Sequence, residues 1–281
     1  MQLILISGMA GAGKSTALNI LEDSGYYCVD NLPPPLLKQL VELYLLHSDM
    51  DKIAVSIDTR SHSLLKQVPN EIKALLKSDI DVKVIFLDAR NEVLLNRFSE
   101  TRRKHPLSDG QNTINDCIKE ERELLAEIVS IAHKIDTSYL SANHLRSYIK
   151  QLVKADYSQL NIVLQSFGFK YGVPIDSDFV FDVRCLANPY YDKNIRDFNG
   201  LEAPIIEFLE KEPKVQVMID DISGFISKWL ESFSQDNRNY LTLSIGCTGG
   251  KHRSVYIVEK IAQLINKLGY KIVTRHRQIN S

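Results

Sequence analysis

Gly8-Met9-Ala10-Gly11-Ala12-Gly13-Lys14-Ser15 fits the pattern G-x-x-x-x-G-K-[ST]. It lies between the apolar run Leu3 to Ile6 and the stretch Lys14 to Asp23, whose apolar residues recur at three- and four-residue spacing. A strand, a glycine-rich turn and a helix in that order are the setting a phosphate loop requires. At average residue usage a chain of 281 residues shows this pattern by chance only about once in a hundred. The glycines permit backbone angles that turn successive N–H groups inward, and the helix N-terminus adds a partial positive charge. Lys14 brings a mobile charge for β- and γ-phosphates, and Ser15 brings a hydroxyl for Mg²⁺.

Outward from this loop the pattern repeats. Tyr26 to Val29, Ile53 to Ile57 and Val82 to Leu87 read as further strands, and Pro35 to His47, Leu64 to Lys77, Ile114 to His133 and Ser141 to Lys154 read as helices. Short apolar runs alternating with amphipathic helices predict β-α-β units on a parallel sheet. A boundary is expected after Lys154, which gives a nucleoside-triphosphate-binding domain over 1–155 and a second α/β domain over 156–281. In the second domain Leu160 to Gln165, Phe179 to Val183, Leu241 to Ile245 and Lys271 to Thr274 read as strands. Ala203 to Leu209, Val215 to Phe233 and Ser254 to Leu268 read as helices.

Composition limits the function classes. With 44% hydrophobic and 25% charged residues the chain can bury a core, and a net charge of -1 argues against a uniformly basic nucleic-acid binder. The cysteines, Cys28, Cys117, Cys185 and Cys247, form no C-x-x-C pair, which speaks against a zinc or disulfide scaffold and for a reducing cytoplasm. No targeting sequence or membrane span is expected, since the first apolar run lacks a basic n-region and no run of about 20 apolar residues occurs.

A phosphate loop also wants a carboxylate at the end of a neighbouring strand. Asp58, Asp88 and Asp30 each end a predicted strand, and each also reads as a turn or cap carboxylate; Asp58 is favoured as catalytic and magnesium-holding, beside Ser15. Arg97 to Pro106, with Arg97, Arg102 and Arg103, stands where an arginine-bearing lid over the phosphates is expected. In the second half, Gly246-Cys247-Thr248-Gly249-Gly250-Lys251-His252-Arg253-Ser254 again joins a strand to a helix and reads as a second anion site. Cys247 to Arg253 also spells C-x5-R followed by Ser, the phosphate loop of cysteine phosphatases. With four cysteines and 13 arginines that pattern arises by chance about one time in five. The histidine usual before such a cysteine is Gly246 here, and no general-acid Asp is assignable from sequence, which counts against that reading.

Taken together, these residues resemble the RapZ/YvcJ family of bacterial P-loop nucleotide-binding proteins. The resemblance rests on the loop, on Tyr27 to Pro33, Asp58-Thr59-Arg60-Ser61, Glu100 to Leu107, Ser166 to Gly172, Asp182-Val183-Arg184 and Cys247 to Ser254. It implies an N-terminal kinase-like P-loop domain that binds and slowly hydrolyses ATP and GTP, with Gly8 to Ser15 as the ATP loop and Asp58 to Ser61 attributed to GTP. It further implies a C-terminal α/β domain resembling part of a phosphofructokinase. In the adapter branch of that family this domain binds small regulatory RNA and an amino-sugar phosphate, glucosamine-6-phosphate, and presents the RNA to an endoribonuclease. Thr248, Gly249 and Arg253 match the sugar-phosphate contacts, and Lys251 and His252 join them as candidate ligand or RNA contacts. Tyr190 stands where the adapter branch has histidine, and Arg275 to Ser281 lack its lysine- and arginine-rich tail. Residues 247–281 still hold seven Lys or Arg against one acidic residue, Glu259, which reads as a basic face. A homo-oligomer is expected. The alternatives are a small-molecule kinase using the lid arginines and Asp30, and a nucleotide-controlled metabolic regulator that binds no RNA.

Overall fold

The computed structural model describes residues 1–46, 51–75, 78, 80–154, 160–235 and 240–279, and the chain divides into two compact units, Met1–Lys154 and Ala155–Ser281. In the first, strands β1 (Gln2–Gly8), β2 (Tyr27–Val29), β3 (Lys52–Ser56), β4 (Asp81–Asp88) and β5 (His133–Asp136) form one sheet in the order β2-β3-β1-β4-β5. Every pairing is parallel. Leu3, Ile4, Leu5 and Ile6 of β1 are fully buried, which is why the run is continuously apolar rather than alternating: helices cover both faces of such a sheet. Those helices are α1 (Lys14–Glu22), α2 (Leu37–Leu46), α3 (Val68–Leu75), α4 (Asn91–Thr101), α5 (Ile114–Val129) and α6 (Ala142–Lys154). The loop-bearing strand β1 stands at the centre of this parallel α/β sheet.

Two expectations shift. The stretch from Leu64 splits into a 3-10 segment, Thr59–Gln67, and α3, whose start coincides with Pro69 in the first turn, where proline costs no hydrogen bond. The helix expected over Ile114–His133 ends at Val129, and His133–Asp136 is instead the edge strand β5, paired with Ile85–Asp88. Ile128, Ile131 and Ala132 continue a helical spacing, and a four-residue strand with three polar positions has no period of its own to contradict it. The start of α5 is legible, since Thr113 and Asp116 form a capping box. His47, Leu76, Lys77 and the expected boundary at 155–156 lie outside the described residues.

The second unit has a four-stranded parallel sheet, β6 (Asn161–Gly168), β7 (Phe179–Asp182), β8 (Tyr240–Cys247) and β9 (Ile272–His276), in the order β7-β8-β6-β9. Its helices are α7 (Ala203–Glu210), α8 (Pro213–Gln235) and α9 (Arg253–Asn266). The core lies between sheet and helices: Ile162, Leu164, Leu241, Leu243 and Ile245 of the strands pack with Ile219, Ile226, Ile257 and Ile261 of α8 and α9. Among the described residues no helix is long and apolar enough to cross a membrane.

Candidate functional site

In the first unit the loop leaves β1 at the C-terminal edge of the sheet, where open α/β sheets bind ligands. Gly8, Gly11 and Gly13 have φ of 145°, 82° and 105°, values that a side chain would oppose. Gly8 carries a second constraint: a Cβ there would lie 2.8 Å from Leu87 N, 2.9 Å from Leu87 C and closer still to Leu87 O. The loop is pinned by Met9 N donating to Leu87 O and Ala12 N donating to Met9 O, 3.0 Å each. Lys14 Nζ donates to Gly8 O at 2.7 Å and Met9 O at 3.2 Å, so its ammonium lies across the loop. Burial pushes the Lys14 ammonium down, opposed by Glu121 and Asp58. Ser15 is exposed at the start of α1.

A residue not anticipated from the sequence organises this site. Glu121, on α5, is 0% exposed and accepts hydrogen bonds from three segments. Ala10 N of the loop donates to Oε2 at 2.9 Å, Thr59 Oγ1 donates to Oε1 at 2.9 Å, and His105 Nε2 lies 3.1 Å from Oε2. One carboxylate therefore joins the phosphate loop, the turn after β3 and the segment after α4. A sequence signal existed: Cys117, Ile118, Glu121, Leu125 and Ile128 form the buried stripe of α5, and a glutamate within such a stripe demands partners.

The three strand-end acids fare differently. Asp58 is buried, and its oxygens accept from Arg60 N (3.0 Å), Arg60 Nε (3.0 and 2.9 Å) and Arg60 Nη2 (2.7 Å). Burial alone would raise its carboxyl, but these bonds and the Lys14 charge outweigh burial and hold it below the ordinary range. Three N–H groups of Arg60 thus meet the two Asp58 oxygens, the Nε–H shared between them, and Asp58 fixes the Arg60 side chain. Asp88 is likewise taken, by Arg122 (2.8 Å), Lys134 (3.1 Å) and Ala89 N (2.8 Å). Asp30 is exposed, carries no hydrogen bond among the described residues and acts electrostatically on Lys14 and Arg60. Ser15 and Asp30 thus have lone pairs to spare for a magnesium ion. Thr59 donates to Glu121, and the Ser61 side chain lies outside the described residues.

The expected lid divides in two. Arg97 points at the loop, donating through Nη1 to Gly11 O (3.0 Å) and Thr137 Oγ1 (3.2 Å) and through Nη2 to Thr137 O (2.7 Å). Arg102, Arg103 and Lys104 are exposed, while His105 is buried against Glu121.

In the second unit a cavity of about 520 Å³ is lined by Lys170, Asn188, Tyr190, Arg196, Asp197 and the turn from Cys247 to Arg253. Thr248, Gly249, Lys251, His252 and Arg253 are thus brought together around it. The turn packs closely on β6, since a Cβ on Gly168 would stand 2.7 Å from Gly249 C. Cys247 Sγ accepts from Gly250 N at 3.2 Å and lies 3.2 Å from Ser254 Oγ. Burial would raise this thiol, but the Ser254 and Gly250 bonds and the Arg253 charge outweigh burial and bring it below its ordinary value. Burial also pushes the His252 imidazole down, with Arg253 and Lys251 adding to the effect.

The basic face expected over residues 247–281 is divided, with three of its seven cations buried and three exposed. Arg253, Arg275 and Arg277 are buried; Arg275 lies 3.3 Å and Arg277 3.8 Å from the buried Asp176. Lys260 pairs with Glu210 at 2.9 Å. Lys251, Lys267 and Lys271 are the exposed cations of the segment. Counting charges along a sequence does not reveal which guanidinium groups the fold buries with a carboxylate.

With the geometry in view, the chain matches the RapZ-like N-terminal domain over residues 1–157 and the RapZ C-terminal domain over residues 160–280. It is 51% identical over 280 residues to a nucleotide-binding protein of Laribacter hongkongensis, covering 100% of both chains. It is 49% identical over 281 residues to one of Methylobacillus flagellatus, again covering 100% of both. Among solved structures, shikimate kinase from Bacteroides thetaiotaomicron aligns with a TM-score of 0.39 at 15% identity, over 54% of this chain and 98% of its own. With both domain matches and full-length relatives at about half identity, the chain belongs to the RapZ family.

Proposed function

We propose that the protein binds ATP and GTP with Mg²⁺ at the Gly8–Ser15 loop, hydrolyses them slowly, and uses its C-terminal unit as a regulatory adapter for small RNA and an endoribonuclease. The observation that carries this reading is the loop itself, with left-handed glycines, Lys14 lying across it and α1 starting at its end. The full-length relatives named as nucleotide-binding proteins support it. Lys14 would neutralise the β- and γ-phosphates, Arg97 would brace the loop, and Ser15 and Asp30 would meet magnesium, which supplies further neutralisation of phosphate charge. Asp58 and Arg60, with Thr59 and Ser61, form the segment attributed to GTP.

Slow hydrolysis has a physical reason. A water attacking the γ-phosphate in line needs a group to orient it. Glu121, Asp58 and Asp88 are each committed to protein partners. In the C-terminal unit the cavity with Thr248, Gly249 and Arg253 would take the phosphate of an amino-sugar phosphate. Exposed Lys251 and the adjoining Tyr190 and Tyr191 would face RNA. A cytoplasmic homo-oligomer completes the reading.

Phosphate release from ATP and from GTP, for wild type and Lys14→Ala, with and without small RNA from the source cell, tests it. Turnover that needs Lys14 and responds to RNA is expected; equal nucleotide affinity and turnover in Lys14→Ala overturns it. RNA affinity should fall steeply between about 50 and 200 mM salt, and a flat response removes the phosphate contacts from the picture. The exposed, unengaged Asp30 favours a second reading, a small-molecule kinase in which this carboxylate takes the proton of an acceptor hydroxyl. Acceptor-dependent ADP formation with a phosphorylated product would distinguish it.

A further inference from the structure

The turn after β8 holds more than an anion cradle needs. Cys247 closes the strand at the C-terminal edge of the sheet and lines the cavity. Its sulfur accepts the Gly250 N–H and sits beside the Ser254 hydroxyl, both of which favour a thiolate over a thiol. Arg253, 3% exposed, is oriented from behind: Nη1 donates to Arg184 O and Leu186 O, each at 2.9 Å. That leaves Nε without an acceptor among the described residues and Nη2 with only a 3.4 Å contact to Thr248 Oγ1. Nε and Nη2 form the guanidinium edge that grips two oxygens of a tetrahedral anion, and here that edge is buried, unfilled and on the cavity wall. The same residue begins the 14-residue helix α9, whose N-terminus favours negative charge at that point.

Two other uses of the sulfur find no support. Cys247 is the one cysteine among the cavity-lining residues, so no disulfide partner faces it, and no cluster of three metal-ligating side chains occurs among the described residues. Asp197, distant in sequence, is the acidic residue among those lining the cavity, with its exposed side chain 3.8 Å from Arg196 Nε.

We propose that Cys247 is a nucleophile toward small phosphomonoesters gripped by Arg253, so that the C-terminal unit carries a phosphatase-type activity of its own. The thiolate attacks phosphorus, an S–P bond forms and the ester P–O bond breaks. The departing alkoxide takes a proton from Asp197. Water then attacks the phosphocysteine, giving its proton to Asp197; the S–P bond breaks, orthophosphate leaves and the thiolate returns. The net change is one ester and one water to one alcohol and one orthophosphate. The inference rests on the anion-site reading of this cavity, and its test separates the two.

Full-length protein is incubated with p-nitrophenyl phosphate without nucleotide, quenched in acid and digested, and phosphorylation of Cys247 is sought by mass spectrometry. In parallel, iodoacetamide labelling of Cys247 in the unmutated protein is followed with and without inorganic phosphate. Expected are p-nitrophenol release, a phosphorylated Cys247, loss of turnover by roughly 100-fold or more in Cys247→Ser, and a KM raised about tenfold in Arg253→Lys. Asp197→Asn should lower kcat. Turnover undiminished in Cys247→Ser, or neither turnover nor phosphocysteine in the unmutated protein, overturns the nucleophile. If phosphate nevertheless slows labelling, the anion site stands while the nucleophile falls; if it does not, both fall. The labelling arm uses no variant and so is independent of whether Cys247→Ser folds.

Discussion

Two turns in this protein solve the same problem by different means. Gly8–Ser15 and Cys247–Ser254 each carry a parallel strand into a helix and surround space suited to an anion. The second fixes its sulfur with its own residues, since Cys247 Sγ takes the Gly250 amide and neighbours Ser254, while Arg253 and the Thr248 and Lys251 carbonyls are tied to distant segments. The first is closed from afar, by a glutamate 111 residues away that takes the Ala10 amide. A sulfur held within its own turn keeps its setting with the local sequence. A remotely closed loop inherits the state of the elements that hold it, here the turn at Thr59 and the segment at His105.

The largest expected effect breaks the first turn at its root. Gly8→Ala would press a methyl group into the Leu87 backbone, and β1 and β4 cannot part there without losing their ladder. A loss of about 3 kcal/mol or more is expected, read from denaturant unfolding, with labelling of Cys247 unchanged. Next comes Glu121→Ala, which leaves the Ala10 amide, Thr59 hydroxyl and His105 without their acceptor. It should cost about 2–3 kcal/mol and weaken nucleotide binding, because the loop loses its distant clamp. Unchanged stability and affinity would show that the loop holds itself, and the contrast between the two turns would disappear.

Arg60→Met probes the acid beside the loop. The folded Asp58 carboxyl lies below its unfolded value of about 3.9, so its ionised form adds stability that is present above that pH and fades as pH falls through the folded value. Removing the half-exposed Arg60 should cost about 1 kcal/mol at neutral pH and flatten the stability profile below about pH 4. The smallest effect sharpens the local side of the comparison. Ser254→Ala removes one neighbour of the Cys247 sulfur, and the pH midpoint of its iodoacetamide labelling should rise while global stability changes by about 1 kcal/mol or less.

Local chemistry explains what could be read in advance. The Gly8–Ser15 loop, the continuously buried β1 and the capped start of α5 follow from glycine conformations, apolar runs and a Thr–Asp box, all of which act within a few residues. β5 escaped because four residues at a sheet edge have too little pattern to compete with the helical spacing before them. Glu121 was visible as an anomaly, a carboxylate within an apolar stripe, yet nothing along the chain said which amide, hydroxyl and imidazole it would meet.

What the sequence by itself determined, then, is where the two loops lie, which strands and helices carry them and which residue types they present, since backbone preference and hydrophobic period are local. Tertiary structure alone decided that Asp58 is spent on Arg60, that Asp30 stays open, that Arg275 and Arg277 turn inward to Asp176, and that the Arg253 edge, Cys247 and Asp197 share one cavity. Charge pairing and burial depend on which distant segments the packed sheets bring within about 4 Å, and that is set by the whole fold rather than by any stretch of it.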